Sequence, residues 1–354
     1  MERVMMKGNE ALAEGAIRAG CRYFFGYPIT PQNEIPEYMA RRLPEVGGVF
    51  LQAESEVSAI NMVYGAGGAG GRVLTSSSSP GISLKQEGIS YIAGAQVPCV
   101  IVNVARGGPG LGGLNPSQSD YFQATKGGGH GDYRLLVYAP GNAQEMVDLI
   151  GLAFDKAEEY RNPVMILSDA IMGQMMEPVA LPAMRTETTE KPWATTGKQG
   201  RSKPNIINSL GLVGEDLERI NIELQAKYAR LAAAEVRYET DGTGEADLIV
   251  VAYGTSSRVV RSAINRLRQE GKKVGLFRPI TLWPFPKEAL ASLAAEGKRF
   301  LVVEMSAGQL VEDVILAVND RAKVSFFGKL NGTVPTVREV YDRILSSLPE
   351  GGEG

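Results

Sequence analysis

Short apolar runs recur along this chain at spacings that a helix can fill, and this rhythm restricts the fold more than any other feature. Strand-like runs fall at 22–26, around Tyr23-Phe24-Phe25, and at Gly48–Leu51, Arg72–Thr75, Cys99–Val104, Leu135–Tyr138 and Val164–Leu167. Between most of them lie helix-like stretches. One covers 7–20, with Leu12, Ala13, Ala16 and Ile17 on one face and Gly20 at its end, and another covers 142–160. Strands alternating with helices predict an α/β fold with a parallel sheet covered on both faces. The first domain is expected at 1–177.

From Glu177 the character changes. Glu177-Pro178 through Lys203-Pro204 is polar, proline-containing and poorly periodic, and 214–233 reads as an exposed amphipathic helix, so 178–243 is expected to be a linker with that helix. A second α/β unit, expected at 244–350, opens with the run Leu248–Tyr253 leading into Gly254-Thr255-Ser256-Ser257, and further strands fit Lys273–Phe277, Phe300–Val303 and Val324–Phe327.

The chain has 354 residues, enough for about two domains. A net charge of −3 with no basic stripe argues against nucleic-acid binding. No apolar run approaches the ~20 residues of a membrane span, and the start Met1–Lys7 has no signal-peptide core; a cytoplasmic protein is expected. The two cysteines, Cys21 and Cys99, sit beside apolar runs and read as buried thiols. An iron–sulfur cluster takes four cysteine ligands, so this chain cannot hold one alone.

Several motifs carry possible chemistry. In Gly26-Tyr27-Pro28-Ile29-Thr30-Pro31, two prolines make a stiff loop that presents Thr30 beyond a strand end, where open α/β sheets bind ligands. Glu54-Ser55-Glu56 opens a helix-like stretch, and either glutamate serves equally well as an acidic first turn. The strand ending at Ala105 delivers Arg106 into Gly107–Gly113; its fork suits a carboxylate, or it caps a strand end at the surface. Ser76–Ser79 precede Pro80 at an expected helix start and either cap that helix or touch a ligand. Gly65–Gly70 matches GxGxxG but follows a helix instead of a strand, so it reads as a helix-to-strand turn, and no NAD or FAD is expected. His130, the one histidine, suits a loop hydrogen bond or a general-acid role. Met5, Met6, Met172, Met175 and Met176 read as core filling.

Taken together and in order, Tyr27-Pro28-Ile29-Thr30-Pro31, Glu56 and Arg106 resemble the alpha subunit of the thiamine-dependent 2-oxoacid:ferredoxin oxidoreductases over nearly the whole chain. Tyr253-Gly254-Thr255, Arg278–Phe285 and Val303–Leu310 likewise resemble the small C-terminal domain of the transketolase superfamily. The resemblance implies a pyrimidine-type thiamine diphosphate domain followed by a transketolase C-terminal-like domain. It implies Glu56 as the glutamate on the cofactor's aminopyrimidine ring, Tyr27, Pro28 and Ile29 beside the cofactor, and Thr30 and Arg106 on the 2-oxo acid. No GDG-plus-Asn pattern is present, so the magnesium half of the site is expected on a beta-type partner subunit. A gamma-type subunit, a ferredoxin-like delta subunit carrying iron–sulfur clusters, ferredoxin and coenzyme A complete the implied system. The loop Leu114–Asp120 offers no cation for a second substrate carboxylate. It resembles the branched-chain members that act on 3-methyl-2-oxobutanoate, with 2-oxoglutarate or pyruvate as alternatives. A non-catalytic structural subunit and a non-redox thiamine enzyme also remain open.

Overall fold

In the computed structural model, which describes residues 3–186, 189–330 and 332–349, the apolar runs become strands of two separate sheets. In chain order the strands are β1 (Arg3–Lys7), β2 (Tyr23–Gly26), β3 (Val49–Gln52), β4 (Val73–Ser77), β5 (Cys99–Ala105), β6 (Leu136–Tyr138), β7 (Pro163–Asp169) and β8 (Met176–Ala180). Then follow β9 (Tyr238–Asp241), β10 (Leu248–Val251), β11 (Val274–Pro279), β12 (Thr281–Trp283), β13 (Arg299–Glu304) and β14 (Val324–Gly328).

The first sheet has seven strands in the order β12-β6-β7-β5-β4-β2-β3, all parallel except β12. Its middle strands β5 and β7 are buried at every position, as continuous apolar runs covered by helices on both faces should be. The edge strand β3 is exposed, with Val49 and Leu51 facing solvent. The second sheet runs β14-β13-β10-β11-β9, parallel except for β9. A separate ribbon pairs β1 with β8 in antiparallel register, Arg3 opposite Ala180 and Lys7 opposite Met176.

The two sheets are tied to each other. β12 lies between strands of the second sheet in sequence but pairs with β6 of the first. Gln118 donates Nε2 to the Tyr253 carbonyl at 2.9 Å, and its Oε1 accepts from Ser256 Oγ at 2.6 Å and from the Met305 backbone at 2.9 Å. Tyr121 donates to Asp313 at 2.6 Å, and Lys126 pairs with the same carboxylate.

Some local expectations change. Gly65, Gly67 and Gly68 are not a turn: they lie in the last turn of the helix Glu56–Gly68, and Gly67 packs closely against Val97. Ser76 and Ser77 lie inside β4, buried: the Ser76 hydroxyl is paired with Gln32, and the Ser77 hydroxyl has no protein partner. Tyr23 and Phe25 are only half-buried, with Phe24 alone of the three enclosed. Met6 and Met172 are core residues, but Met5 and Met176 are exposed on the β1–β8 ribbon, which packs on one face only.

Candidate active site

The candidate residues gather around one turn, Ser77–Gly81, where β4 passes into the helix Pro80–Gly94. Pro80 occupies the first helical turn, where its missing N–H costs nothing. Ser79 takes φ 22°, a conformation L-residues rarely adopt. Its backbone N–H donates to Asn103 Oδ1 at 3.1 Å, and its hydroxyl donates to Asp120 Oδ2 at 2.7 Å. The same hydroxyl accepts from the Arg106 backbone N–H at 2.9 Å. The turn is therefore fixed from three directions.

Arg106, at the carboxyl end of β5, is buried. Nη1 donates to the Thr30 carbonyl at 2.9 Å and Nη2 to the Leu111 carbonyl at 3.2 Å, leaving Nε without a protein partner. The structure thus brings Thr30 and Arg106 into contact through the Thr30 backbone. The Thr30 hydroxyl accepts from Asn33 Nδ2 at 3.2 Å. Tyr27 and Pro28 are exposed, with Ile29 and Thr30 half-buried behind them.

Glu56 is the first residue of its helix, and Ser55 caps that helix by accepting from the Ser58 N–H at 3.2 Å. Of the two glutamates in this turn, Glu54 is exposed and Glu56 is only 6% exposed. Gly81 faces Glu56 directly: a β-carbon added there would lie 2.7 Å from Oε1. Beside them, the hydroxyls of Ser77 and Ser78 are buried with no protein partner.

A second layer holds this arrangement. Ser76 donates to Gln32 Oε1 at 2.5 Å, and Gln32 donates to the Tyr27 carbonyl at 3.3 Å. Thr75 donates to the Phe25 carbonyl at 2.7 Å. Lys85, wholly buried, donates to Thr75 Oγ1 at 2.6 Å and to the Ser76 carbonyl at 3.0 Å. Burial drives its amine down to about 7, with the Glu56 charge partly opposing that fall. Burial raises the Asp120 carboxyl, while the bonds from Ser79 and Asn103 pull it back.

A cavity of about 640 Å³ opens beside Arg106, lined also by Pro109, Ser117, Asp120, Met305 and Gln309. It lies between the loop after β5 and the loop after β13. Among the described residues lining it, Arg106 is the one cation; Glu56 and Thr30 do not line it. His130 sits elsewhere, on an exposed loop, with Nδ1 3.4 Å from Ser90 Oγ and its ring edge-to-face with Tyr91.

Gln32, Lys85, Asn103 and the bonding role of Asp120 were not visible in the sequence. The available signal was Lys85 itself, a charge inside a helix with small and apolar neighbours such as Gly81, Ile82, Gly88 and Ile89.

Residues 14–240 match the family described as pyruvate flavodoxin/ferredoxin oxidoreductase, thiamine diP-bdg. Residues 246–340 match pyruvate:ferredoxin oxidoreductase core domain II. The chain is 51% identical over 345 residues to ketoisovalerate oxidoreductase subunit VorB of Methanothermobacter thermautotrophicus, covering 97% of each. It also resembles a solved structure of 2-oxoglutarate:ferredoxin oxidoreductase from Magnetococcus marinus, with TM-score 0.86 and 29% identity. That match covers 98% of this chain and 65% of that one. A split gene transketolase, at TM-score 0.59 and 13% identity, shares the fold over 97% of this chain and 98% of that one. The chain belongs to the 2-oxoacid:ferredoxin oxidoreductase family, as an alpha-type subunit with a thiamine-diphosphate-binding domain followed by a core domain II.

Proposed function

We propose that this chain supplies the aminopyrimidine side of a shared thiamine diphosphate site in a complex that oxidatively decarboxylates 3-methyl-2-oxobutanoate to its acyl-CoA, passing electrons to ferredoxin. The convergence of Glu56 and Arg106 on the Ser77–Gly81 turn, with the Thr30 carbonyl bonded to Arg106, carries this reading. The residues suit the cofactor: a buried carboxylate, two buried hydroxyls without partners and a glycine leaving room beside them. Bound there, thiamine diphosphate supplies a carbanion nucleophile for 2-oxo acid decarboxylation. Glu56 would hold the ring nitrogen, with the exposed Tyr27 and Pro28 and the half-buried Ile29 forming a wall completed by a partner. Arg106 would clamp the substrate carboxylate, and Thr30 would orient its carbonyl.

Magnesium and the diphosphate are assigned to a beta-type partner. Among the described residues, no group of three or more His, Cys, Asp or Glu side chains is arranged to hold a metal. Gamma-type and ferredoxin-like delta subunits, the latter with iron–sulfur clusters, complete the proposed assembly. The unit at 1–177 carries the site, and that at 244–350 supports it. No described helix is long and apolar enough to cross a membrane, and we place the complex in the cytoplasm.

For the substrate, Arg106 is the single cation among the described residues lining the cavity, and Asp120 adds a carboxyl group there. A second substrate carboxylate would find no partner from this chain, which favours a branched, uncharged side chain. The relative bearing the ketoisovalerate name is the more similar of the two oxidoreductases compared.

The test uses the whole complex, purified without oxygen and assayed with coenzyme A and a viologen acceptor. Glu56→Gln and Glu56→Ala should abolish turnover and leave assembly intact, and 3-methyl-2-oxobutanoate should be turned over faster than 2-oxoglutarate or pyruvate. An active Glu56→Ala complex refutes the site, and faster turnover of 2-oxoglutarate refutes the substrate.

A further inference from the structure

Lys85 has no solvent exposure, yet it lies on the face of its helix that meets Glu56–Gly68. Gly81 and Gly88 flank it at helical spacing. A β-carbon at Gly81 would press on Glu56, and one at Gly88 would lie 2.5 Å from Ile60 of the same opposing helix. Lys85 therefore stands one turn beyond Glu56's contact point. Its two hydrogen bonds, to Thr75 Oγ1 and the Ser76 carbonyl, go to the strand end that positions Phe25 and the Tyr27 loop. An ammonium group has three donors, and here two find protein acceptors. A neutral amine, with two N–H groups, fits the same pair of acceptors. The site accommodates either form.

We propose that Lys85 is a positioning residue of the cofactor site: by its own charge, the amine decides how firmly the Glu56 carboxylate engages the aminopyrimidine ring. This rests on the thiamine reading above. While Lys85 is an ammonium, held on Thr75 and the Ser76 carbonyl and not paired directly with Glu56, its charge acts through space against a protonated ring nitrogen beside that carboxylate. Once it is neutral, Glu56 serves the ring alone. The charged or titratable groups facing the amine are Glu56 and, from β5, Cys99, whose thiol is pushed up to about 12 by burial and stays neutral through physiological pH. The Lys85 amine itself titrates at about 7.

The experiment strips thiamine diphosphate from the assembled complex and measures its rebinding, by quenching of intrinsic fluorescence, across roughly pH 6 to 8.5 in wild type, Lys85→Gln and Lys85→Met. Ionisation of the diphosphate is common to all three and cancels in the ratio of affinities. Relative to either variant, wild type should bind more weakly at the acidic end, by about tenfold, and match the variants at the alkaline end. Gln retains a donor toward Thr75, so it also reports if Met disturbs assembly. Variants weakened equally at every pH would mark Lys85 as packing alone and overturn the proposal. If the wild-type complex takes up no thiamine diphosphate at any pH, the site reading itself fails. If it binds but its profile parallels both variants, only the Lys85 inference fails.

Discussion

Gly81 stands so close to Glu56 that a β-carbon on it would lie 2.7 Å from Oε1, and closer still to the hydroxyl of Ser77. Real β-carbons do not approach that near, so one of these groups would have to move. Gly81→Ala should displace Glu56, with an overpacking cost of about 1–3 kcal/mol and at least a tenfold loss of thiamine diphosphate affinity. Cofactor titration of the purified variant complex checks this; unchanged affinity would mean that Glu56 does not touch the cofactor.

Arg106 holds two carbonyls and keeps Nε free of protein partners. Removing it should cost about 1.5–3 kcal/mol of substrate interaction, roughly a 10- to 150-fold fall in kcat/KM. Arg106→Lys keeps the charge but loses the planar fork, so it should recover only part of that loss. Steady-state kinetics with the 2-oxo acid as the varied substrate separates this from a structural cap. A cap would lower the melting temperature and leave KM alone.

Lys85 also predicts how stability responds to pH. Its amine titrates at about 7 when folded, against 10.5 for an unperturbed lysine. Between those values the unfolded chain binds more protons than the folded one, so this group makes stability rise with pH. Below about pH 7 the full cost of burying the charge is present. Lys85→Met should therefore gain most over wild type near pH 6, and the gap should narrow by about pH 9.5. Thermal melts at several pH values measure it, and a gap independent of pH contradicts the assignment.

Gln118 is the most heavily bonded tie between the two sheets. Its side chain accepts from Ser256 Oγ and the Met305 N–H and donates to the Tyr253 carbonyl. Gln118→Ala strands those buried groups and should cost on the order of 3 kcal/mol. Because the same loop lines the cavity through Ser117 and Ser119, KM for the 2-oxo acid should rise as well. Chemical denaturation together with kinetics tests both effects.

The sheet strands were legible because buried parallel strands are written as continuous apolar runs; β5 and β7 are the clearest cases. β1, β8, β9 and β12 were not. They are three to five residues long and lie at edges or in a ribbon, so they carry little of that signal. The Ser76–Ser79 stretch read as a helix cap or a ligand contact because its side chains are polar and precede Pro80. Its burial depends on Gln32, Lys85, Asn103 and Asp120, which are distant in sequence, and only the fold supplies them. Glu56 and Glu54 are equivalent as helix-start residues. What separates them is the Ser55 cap: Glu54 precedes it and is exposed, while Glu56 is the first helical residue and meets Gly81, a matter of packing instead of composition.

β12 has a consequence for how such a chain can change over time. It arises within the second unit but closes the β6 edge of the first sheet. A gene broken between the units would yield one fragment with an open edge and another carrying the missing strand. The halves would remain complementary pieces, each needing the other, instead of becoming free modules. Swapping in a foreign second unit would succeed only if the newcomer brought its own strand for that edge.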